Sequence, residues 1–256
     1  MAQQKTALIT GASAGLGAEF AAQLADRGYN LVLVARRQDK LAELADSLGP
    51  RYGVDVRTVV ADLSDPEAPA MLERTLAERR VEIDYLVNNA GSSGPDLLGG
   101  DDWSVQRRYL ELMMVSVAHM CRRFVPPMRE RGWGRVINVA SVSGRIASAG
   151  DTNYGPAKAY VIALSEGLAC TLRGTGVNVC ALCPGFTHTD FHAVAGMLEM
   201  KQRSPGFIWY DPDVVVREGI EAVERGKMVK VSGRLYRIID PLLQSVWTRP
   251  LVRLIR

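Results

Sequence analysis

The sequence predicts an α/β protein built on a doubly wound parallel sheet, and three observations carry that expectation. Short apolar runs alternate with helical patterns along most of the chain. The runs are apolar at nearly every position, as strands are when helices cover both faces of a sheet. A glycine-rich turn, "TGASAGLG", joins the first run to the first helix.

The elements follow in order. "TALIT" (6–10) is a short strand, and "AGLGAEFAAQLADRG" is a helix that stops at Gly28. "NLVLVAR" (30–36) is a second strand, followed by the helical "QDKLAELADSLG". "VRTVVADL" (56–63) is a third strand, and "PEAPAMLERTLAERR" (66–80) a helix with a proline near its start. "IDYLVNNAG" (83–91) is the fourth strand, before a long helix from about Trp103 to Arg131. "GRVINVAS" (134–141), the helical "NYGPAKAYVIALSEGLACTLRG" and "VNVCALCPG" (177–185) continue the alternation. No repeat or linker interrupts it, so residues 1–256 form one domain. Residues 186–212 break the pattern with Gly, Pro, Phe186, Phe191, Met197, Phe207 and Trp209. A long irregular segment of this kind is a lid or, as the alternative, a surface subdomain. The tail, about 240–256, is apolar with three arginines in its last eight residues. It could lie on a membrane. Pro250 interrupts any long amphipathic helix there, which favours packing on a neighbouring subunit or on the lid.

Composition removes several function classes. The 256 residues suit one large domain, with 47% hydrophobic and 23% charged residues. A net charge of +3 without a dense Lys/Arg run argues against a nucleic-acid partner. Gly and Ser break up the apolar residues near the start, so no signal peptide is predicted. No run reaches the roughly 18 apolar residues of a membrane span. Cys180 and Cys183 form a C-x-x-C, but no second ligand pair completes a zinc site. In an apolar run they are small core fillers, and a reduced, cytoplasmic protein is expected. His188, Asp190 and His192 lack a further ligand nearby, so no metal is predicted. His119, in the long helix, is expected to be a packed residue.

Gly11, Gly15 and Gly17 stand between a strand and a helix. Such a turn lets backbone approach a pyrophosphate and aims helix N–H groups at it. An NAD site usually has a carboxylate ending the second strand. Here the strand ends "VARR", with small Ala35 followed by Arg36 and Arg37. Two guanidinium groups suit a 2′-phosphate, so NADP(H) is the expected cofactor. Solvated loop arginines are the alternative. Tyr154 and Lys158, four residues apart, share a helix face. By spacing alone they are either neighbours on a solvated helix or an acid and the group that tunes it.

Taken together, these motifs resemble the classical subgroup of the short-chain dehydrogenases/reductases, in the NADP-preferring bacterial type. "TGASAGLG" matches the family's glycine loop and Asp62-Leu63 its adenine contact. "NNAG" (88–91), Ser141, Tyr154-x-x-x-Lys158 and "PGFTHT" (184–189) follow in the family's order. The likeness runs from about residue 5 to 190. It implies a single Rossmann domain, a homo-oligomer (dimer or tetramer), a small-molecule substrate and NADP(H). By residue, it implies that Ser13, Ala14 and Leu16 contact phosphates. Asp62 and Leu63 flank adenine, and Asn89 and Gly91 the neighbouring ribose. Pro184, Gly185, Thr187 and Thr189 fix the nicotinamide end, and Lys158 reaches its ribose.

The resemblance also gives the Tyr/Lys pair its chemistry. A phenol with a pKa near 10 is a poor base, and a nearby ammonium lowers that value. Tyr154 would exchange a proton with the substrate oxygen, with Ser141 as hydrogen-bond donor. The expected activity is interconversion of a ketone and a secondary alcohol, on a medium-sized and fairly apolar substrate. One departure stands out. Where the family usually has an asparagine that holds a water, the count back from "RRFVPPM" gives Met113, or Met114 if the register slips by one. A thioether is a weak acceptor and no donor. Altered or redox-neutral chemistry is therefore an alternative, and a non-catalytic NADP-binding protein is another.

Overall fold

The computed structural model describes residues 4–100, 102–189 and 205–245. Its strands are β1 (Thr6–Thr10), β2 (Asn30–Ala35), β3 (Val56–Val60), β4 (Tyr85–Asn88), β5 (Gly134–Val139), β6 (Val177–Cys183) and β7 (Val229–Val231). All pair in parallel, in the order β3-β2-β1-β4-β5-β6-β7. The chain leaves β1 toward β3 on one side and returns to β4 on the other. The crevice between the carboxyl ends of β1 and β4 is thus the switch point where ligands bind in such sheets.

The helices are α1 (Gly15–Asp26), α2 (Gln38–Tyr52), α3 (Ala68–Glu78), α4 (Trp103–Leu110), α5 (Ser116–Glu130), α6 (Tyr154–Thr171), α7 (Pro212–Glu224) and α8 (Arg234–Gln244). Alternate strand residues point to opposite faces, and the two faces have separate cores. Ala7, Ile9, Leu31, Leu33, Tyr85 and Val87 meet Phe20 and Leu24 of α1, Leu41 of α2 and Val216 of α7. Leu8, Val32, Val34 and Leu86 meet Leu72 of α3 and Met120 and Phe124 of α5. A third cluster packs Val161 and Ile162 of α6 on Ala181 and Cys183 of β6. The doubly wound parallel sheet is therefore the architecture that the sequence predicts.

Several boundaries differ. The third, fourth, fifth and sixth predicted strands stop at Val60, Asn88, Val139 and Cys183. The residues beyond them form the carboxyl-edge turns. The long helix is α4 and α5 joined through a π-helical turn, Glu111–Val115. α7, β7 and α8 were not predicted from the sequence. The predicted lid overlaps the structure only at residues 186–189 and 205–212. Its remainder, with Phe191, Met197, Asp190 and His192, lies outside the described residues, as does the tail beyond Ser245. Cys180 and Cys183 are fully buried in different core clusters, and burial pushes both thiols up to about 12. Among the described residues no helix is long and apolar enough to cross a membrane.

Candidate active site

The glycine turn is shaped by close backbone contacts. Gly11 and Gly15 have φ of +64° and +54°, which favours glycine. A Cβ on Gly17 would lie 2.2 Å from the Gly11 carbonyl oxygen. Thr10 welds the turn to β4: its hydroxyl accepts from the N–H groups of Asn89 (2.9 Å) and Ala90 (3.0 Å) and donates to the Val87 carbonyl. The Asn89 amide donates to the carbonyls of Thr10 (3.0 Å) and Gly11 (3.3 Å). Ala14 is the extended N-cap of α1 and makes no side-chain cap. First-turn N–H groups without a side-chain cap suit an anion.

The arginines part company after β2. Both are exposed. Arg37 folds back on the turn, its Nη2 donating to Ser13 Oγ at 3.0 Å. Arg36 instead lies within electrostatic range of Asp62. Partial burial raises the Asp62 carboxyl, but Ser64 donates to it through N–H (3.0 Å) and hydroxyl (2.8 Å), and Arg36 and Arg108 add positive charge. The net result lies below the ordinary carboxylate value. Leu63 beside it is buried.

Ser141 follows β5, its hydroxyl accepting from Ser143 N–H at 3.1 Å in the turn Val142–Arg145. Tyr154 opens α6 and hydrogen-bonds Ser141. Lys158, one helical turn on, is buried; its Nζ donates to the Val139 carbonyl at 2.8 Å and lies 5.7 Å from the centre of the Tyr154 ring. The structure thus brings serine, tyrosine and lysine together.

The expected lowering of the phenol is corrected. Burial pushes Tyr154 up to about 12, against the lowering effect of the Ser141 hydrogen bond, and Asp151 adds a further rise. Burial also draws Lys158 down to about 8. Desolvation is the largest cause of both shifts, and the ammonium donates to the Val139 carbonyl.

Met113 occupies the π turn, 1% exposed, facing this group. Its Sδ is 3.5 Å from Ser92 N–H, and a Cβ on Gly91 would lie 3.2 Å from that sulfur and 3.7 Å from Lys158 Nζ. Met114 is only partly buried. Residue 113 is thus the fully buried one, in the cluster with Tyr109 and Ala157, while Met114 packs against that cluster.

The loop after β6 closes the crevice from the other side. A Cβ on Gly185 would strike the Tyr236 ring, 2.0 Å away. Thr187 is buried and pairs with Tyr210, while Thr189 lies so near Gly15 that an added Cβ would touch it at 3.4 Å. Pro184 accepts from Val142 N–H at 3.0 Å, which links this loop to the Ser141 turn. His188 stacks on Trp209 at 5.4 Å between ring centres. Among the described residues no cluster of three or more His, Cys, Asp or Glu could hold a metal ion.

Several site supports escaped the sequence reading. Asn88 donates to Asn138 (2.8 Å), Asn138 to Ser165 (2.9 Å) and Ser165 to the Val161 carbonyl (2.7 Å). This buried chain ties β4 and β5 to the helix that carries Lys158. The signal in the sequence is a polar residue inside each apolar strand, which went unread; buried amides need partners.

The fold and this constellation define an oxidoreductase class, and the chain belongs to the short chain dehydrogenase family, whose model matches residues 5–197. It is similar to the 1-deoxy-11-beta-hydroxypentalenate dehydrogenase of Streptomyces exfoliatus, 36% identical over 192 residues, or 73% of this chain and 69% of that one. A short-chain dehydrogenase from Sphingobium yanoikuyae, solved in complex with NADPH, superposes with a TM-score of 0.82 at 30% identity, covering 98% of this chain and 96% of that one. A short chain dehydrogenase/reductase from Burkholderia phymatum, solved in complex with NAD, gives a TM-score of 0.85 at 25% identity, covering 98% and 96%.

Proposed function

We propose that the chain is an NADP(H)-dependent oxidoreductase that interconverts a ketone and a secondary alcohol on a medium-sized, fairly apolar substrate. The observation that carries this is the meeting of Ser141, Tyr154 and Lys158 at the carboxyl edge of the sheet. The glycine turn suits a dinucleotide, because it packs tightly at Gly11 and Gly17 and leads into the first turn of α1, whose N-cap Ala14 makes no side-chain cap. When bound, the nicotinamide supplies or accepts the hydride.

The chain's own residues handle the proton. With its pKa near 12, the Tyr154 hydroxyl is neutral at physiological pH and suited to protonating a carbonyl oxygen. In the other direction its phenolate takes the alcohol's proton, and the rise that burial causes makes that form scarce at physiological pH. Ser141, already bonded to that phenol, donates to the substrate oxygen as charge grows there. Lys158 supplies a cation at neutral pH and would reach the nicotinamide ribose, with Asn89, Gly91, Pro184, Gly185, Thr187 and Thr189 lining the same crevice.

Cofactor choice rests on Arg36 and Arg37, with Asp62 held among cations rather than at the end of β2. The Sphingobium protein's NADPH favours this choice; the Burkholderia protein's NAD marks the competing one. Exposed Leu97 and Leu98 support an apolar substrate. We also propose a homo-oligomer, supported by Trp103, 61% exposed on the long helix. A second reading, altered chemistry, is favoured by Met113 beside Lys158.

The test is turnover of a ketone panel with NADPH and with NADH, for the wild type and Tyr154→Phe. Loss of the phenol should slow single-turnover reduction at least about 100-fold, while NADPH affinity changes by less than about twofold. A variant that keeps most of the wild-type rate would remove Tyr154 from the chemistry. A wild type that binds NADPH and turns nothing over would favour the non-catalytic reading.

A further inference from the structure

The helix that carries Met113 faces α6 along a stripe. Gln106, Tyr109 and Met113 are three and four residues apart, so they share one helix face. Tyr109, Met113 and Ala157 form one buried cluster, with Tyr154 packed against it. At the end of this stripe, Gln106 is 2% exposed and Asn153, the N-cap of α6, is 6% exposed.

Their amides interlock. Asn153 Nδ2 donates to Gln106 Oε1 and to the Pro95 carbonyl, the latter at 2.9 Å. Gln106 Nε2 donates to the Asp96 carbonyl at 3.0 Å. The two residues just before Asn153 reinforce it. Thr152 hydroxyl donates to the Asp96 carboxylate and accepts from Leu97 N–H at 2.8 Å. Asp151 accepts from Gly155 N–H at 2.8 Å, which satisfies a first-turn donor of α6. Three consecutive side chains before Tyr154 therefore each anchor a different group.

Among the described residues the loop is otherwise held by Leu98 N–H donating to the Asp96 carboxylate at 3.1 Å and by Gly94 lying against the Tyr109 ring. Residues 94–100 contain three glycines and a proline, and Leu98 is 83% exposed. Helix ends fray unless their orphan groups are satisfied. Buried amides are costly when only half paired. Gln106 and Asn153 thus join the loop to the residue that begins α6, beside the Thr152–Asp96 and Asp151–Gly155 bonds.

We infer that Gln106 and Asn153 form a buried amide clasp that sets Tyr154 against the loop 94–98, which makes both of them positioning residues for the proton transfer. The inference rests on the activity proposed above. A shift of about 1 Å in such a group costs about 100-fold in rate. Opening the clasp therefore acts on the rate of the chemical step and leaves the glycine turn, at the far side of the crevice, untouched.

The experiment compares wild type, Gln106→Leu and the swap Gln106→Asn with Asn153→Gln. Its readouts are hydrogen exchange, NADPH affinity and single-turnover ketone reduction across pH. In Gln106→Leu, exchange should rise in peptides covering 94–98 and 153–158 but not in 11–17. Reduction should fall about 10- to 100-fold with NADPH affinity within about twofold. Its alkaline limb should move to lower pH, because water admitted to the phenol undoes the rise that burial causes. The swap, which conserves the total reach of the two amides, should recover part of the rate. Unchanged exchange in Gln106→Leu would overturn the clasp. Raised exchange with an unchanged rate, or equal loss of rate and NADPH affinity without rescue, would overturn its positioning role. If the wild type reduces no ketone, the activity reading fails, while the exchange measurement still tests the clasp.

Discussion

The two sides of the crevice are built by different means. On the side where we propose that the cofactor binds, the turn between β1 and α1 owes its shape to what is missing: Gly11 and Gly17 leave room where backbone meets backbone. On the side facing Tyr154, shape comes from what is present, namely interlocked amides, a thioether and a buried ammonium. Backbone contacts tolerate almost no change, because neither partner can swing away. Side-chain contacts can be rebuilt by another residue of suitable length. The difference teaches where substitution should be fatal and where it should tune.

The largest effect is therefore expected at Gly17. A Cβ there meets the Gly11 carbonyl oxygen at 2.2 Å and the Asn89 amide at 2.7 Å, so Gly17→Ala forces the turn open. We expect NADPH binding to weaken more than about 200-fold, roughly 3 kcal/mol, with a lower melting temperature. Gly167→Ala is the matched control. Nothing lies within 4 Å of its added Cβ in the interior of α6, and the change should stabilise by about 1 kcal/mol. Equal behaviour of the two variants in nucleotide titration and thermal melting would break the comparison.

The same contrast explains what the sequence discloses. Strands and their order of appearance are legible because continuous apolar runs have no other use between amphipathic helices. The glycine turn is legible because glycine at φ of +64° has a specific physical reason. Strand ends are not, since Asp62, Asn89 and Ser141 follow apolar runs directly yet turn away at the sheet edge. β7 is missed because it is three residues long, with Lys230 at its centre, as edge strands often are. Pro212 and the apolar period of "DVVVREGIEAVE" do announce α7, but the irregular segment before it drew the predicted lid across its start. The Gln106–Asn153 pair is invisible in sequence because it joins residues 47 apart that carry no motif. The pKa of Tyr154 is mis-set from sequence because spacing gives the neighbour but not the burial.

Arg36 sharpens the comparison, being the side chain on the backbone-built side that we propose to meet the 2′-phosphate. It should set cofactor choice without shaping the turn, whereas Arg37 is bonded into it through Ser13. With Arg36 on the 2′-phosphate as proposed, Arg36→Ala should lose a charge-assisted contact of about 1.5–3 kcal/mol, a roughly 10- to 150-fold loss of NADPH affinity. NADH affinity should hardly change. Equal losses for both nucleotides would mean that Arg36 does not meet the 2′-phosphate, and its place near Asp62 would then be its whole role.

The smallest effect, and the one that tests tuning, is expected at Met113. Its sulfur faces Ser92 N–H and lies beside Lys158, whose ammonium burial has drawn down to about 8. A thioether gives that cation almost nothing to bond. Met113→Asn places an amide there. The opposing cost is about 1–3 kcal/mol if the amide finds no partner, but Ser92 N–H and Lys158 stand ready as donors to its oxygen. An acceptor favours the ammonium, so the lysine should titrate higher. The ammonium is present below its pKa and lost as pH rises through it, so any alkaline fall in reduction that follows Lys158 should move upward from about 8. Better proton supply should also raise single-turnover reduction by about two- to fivefold, a small part of what positioned proton transfer can give. Met114→Asn is the control, because that side chain is only partly buried one position along the π turn. A folded Met113→Asn enzyme with an unchanged or lower rate at every pH would show that proton supply is not limited at this turn. A gain confined to Met114→Asn would move the tuning position by one residue.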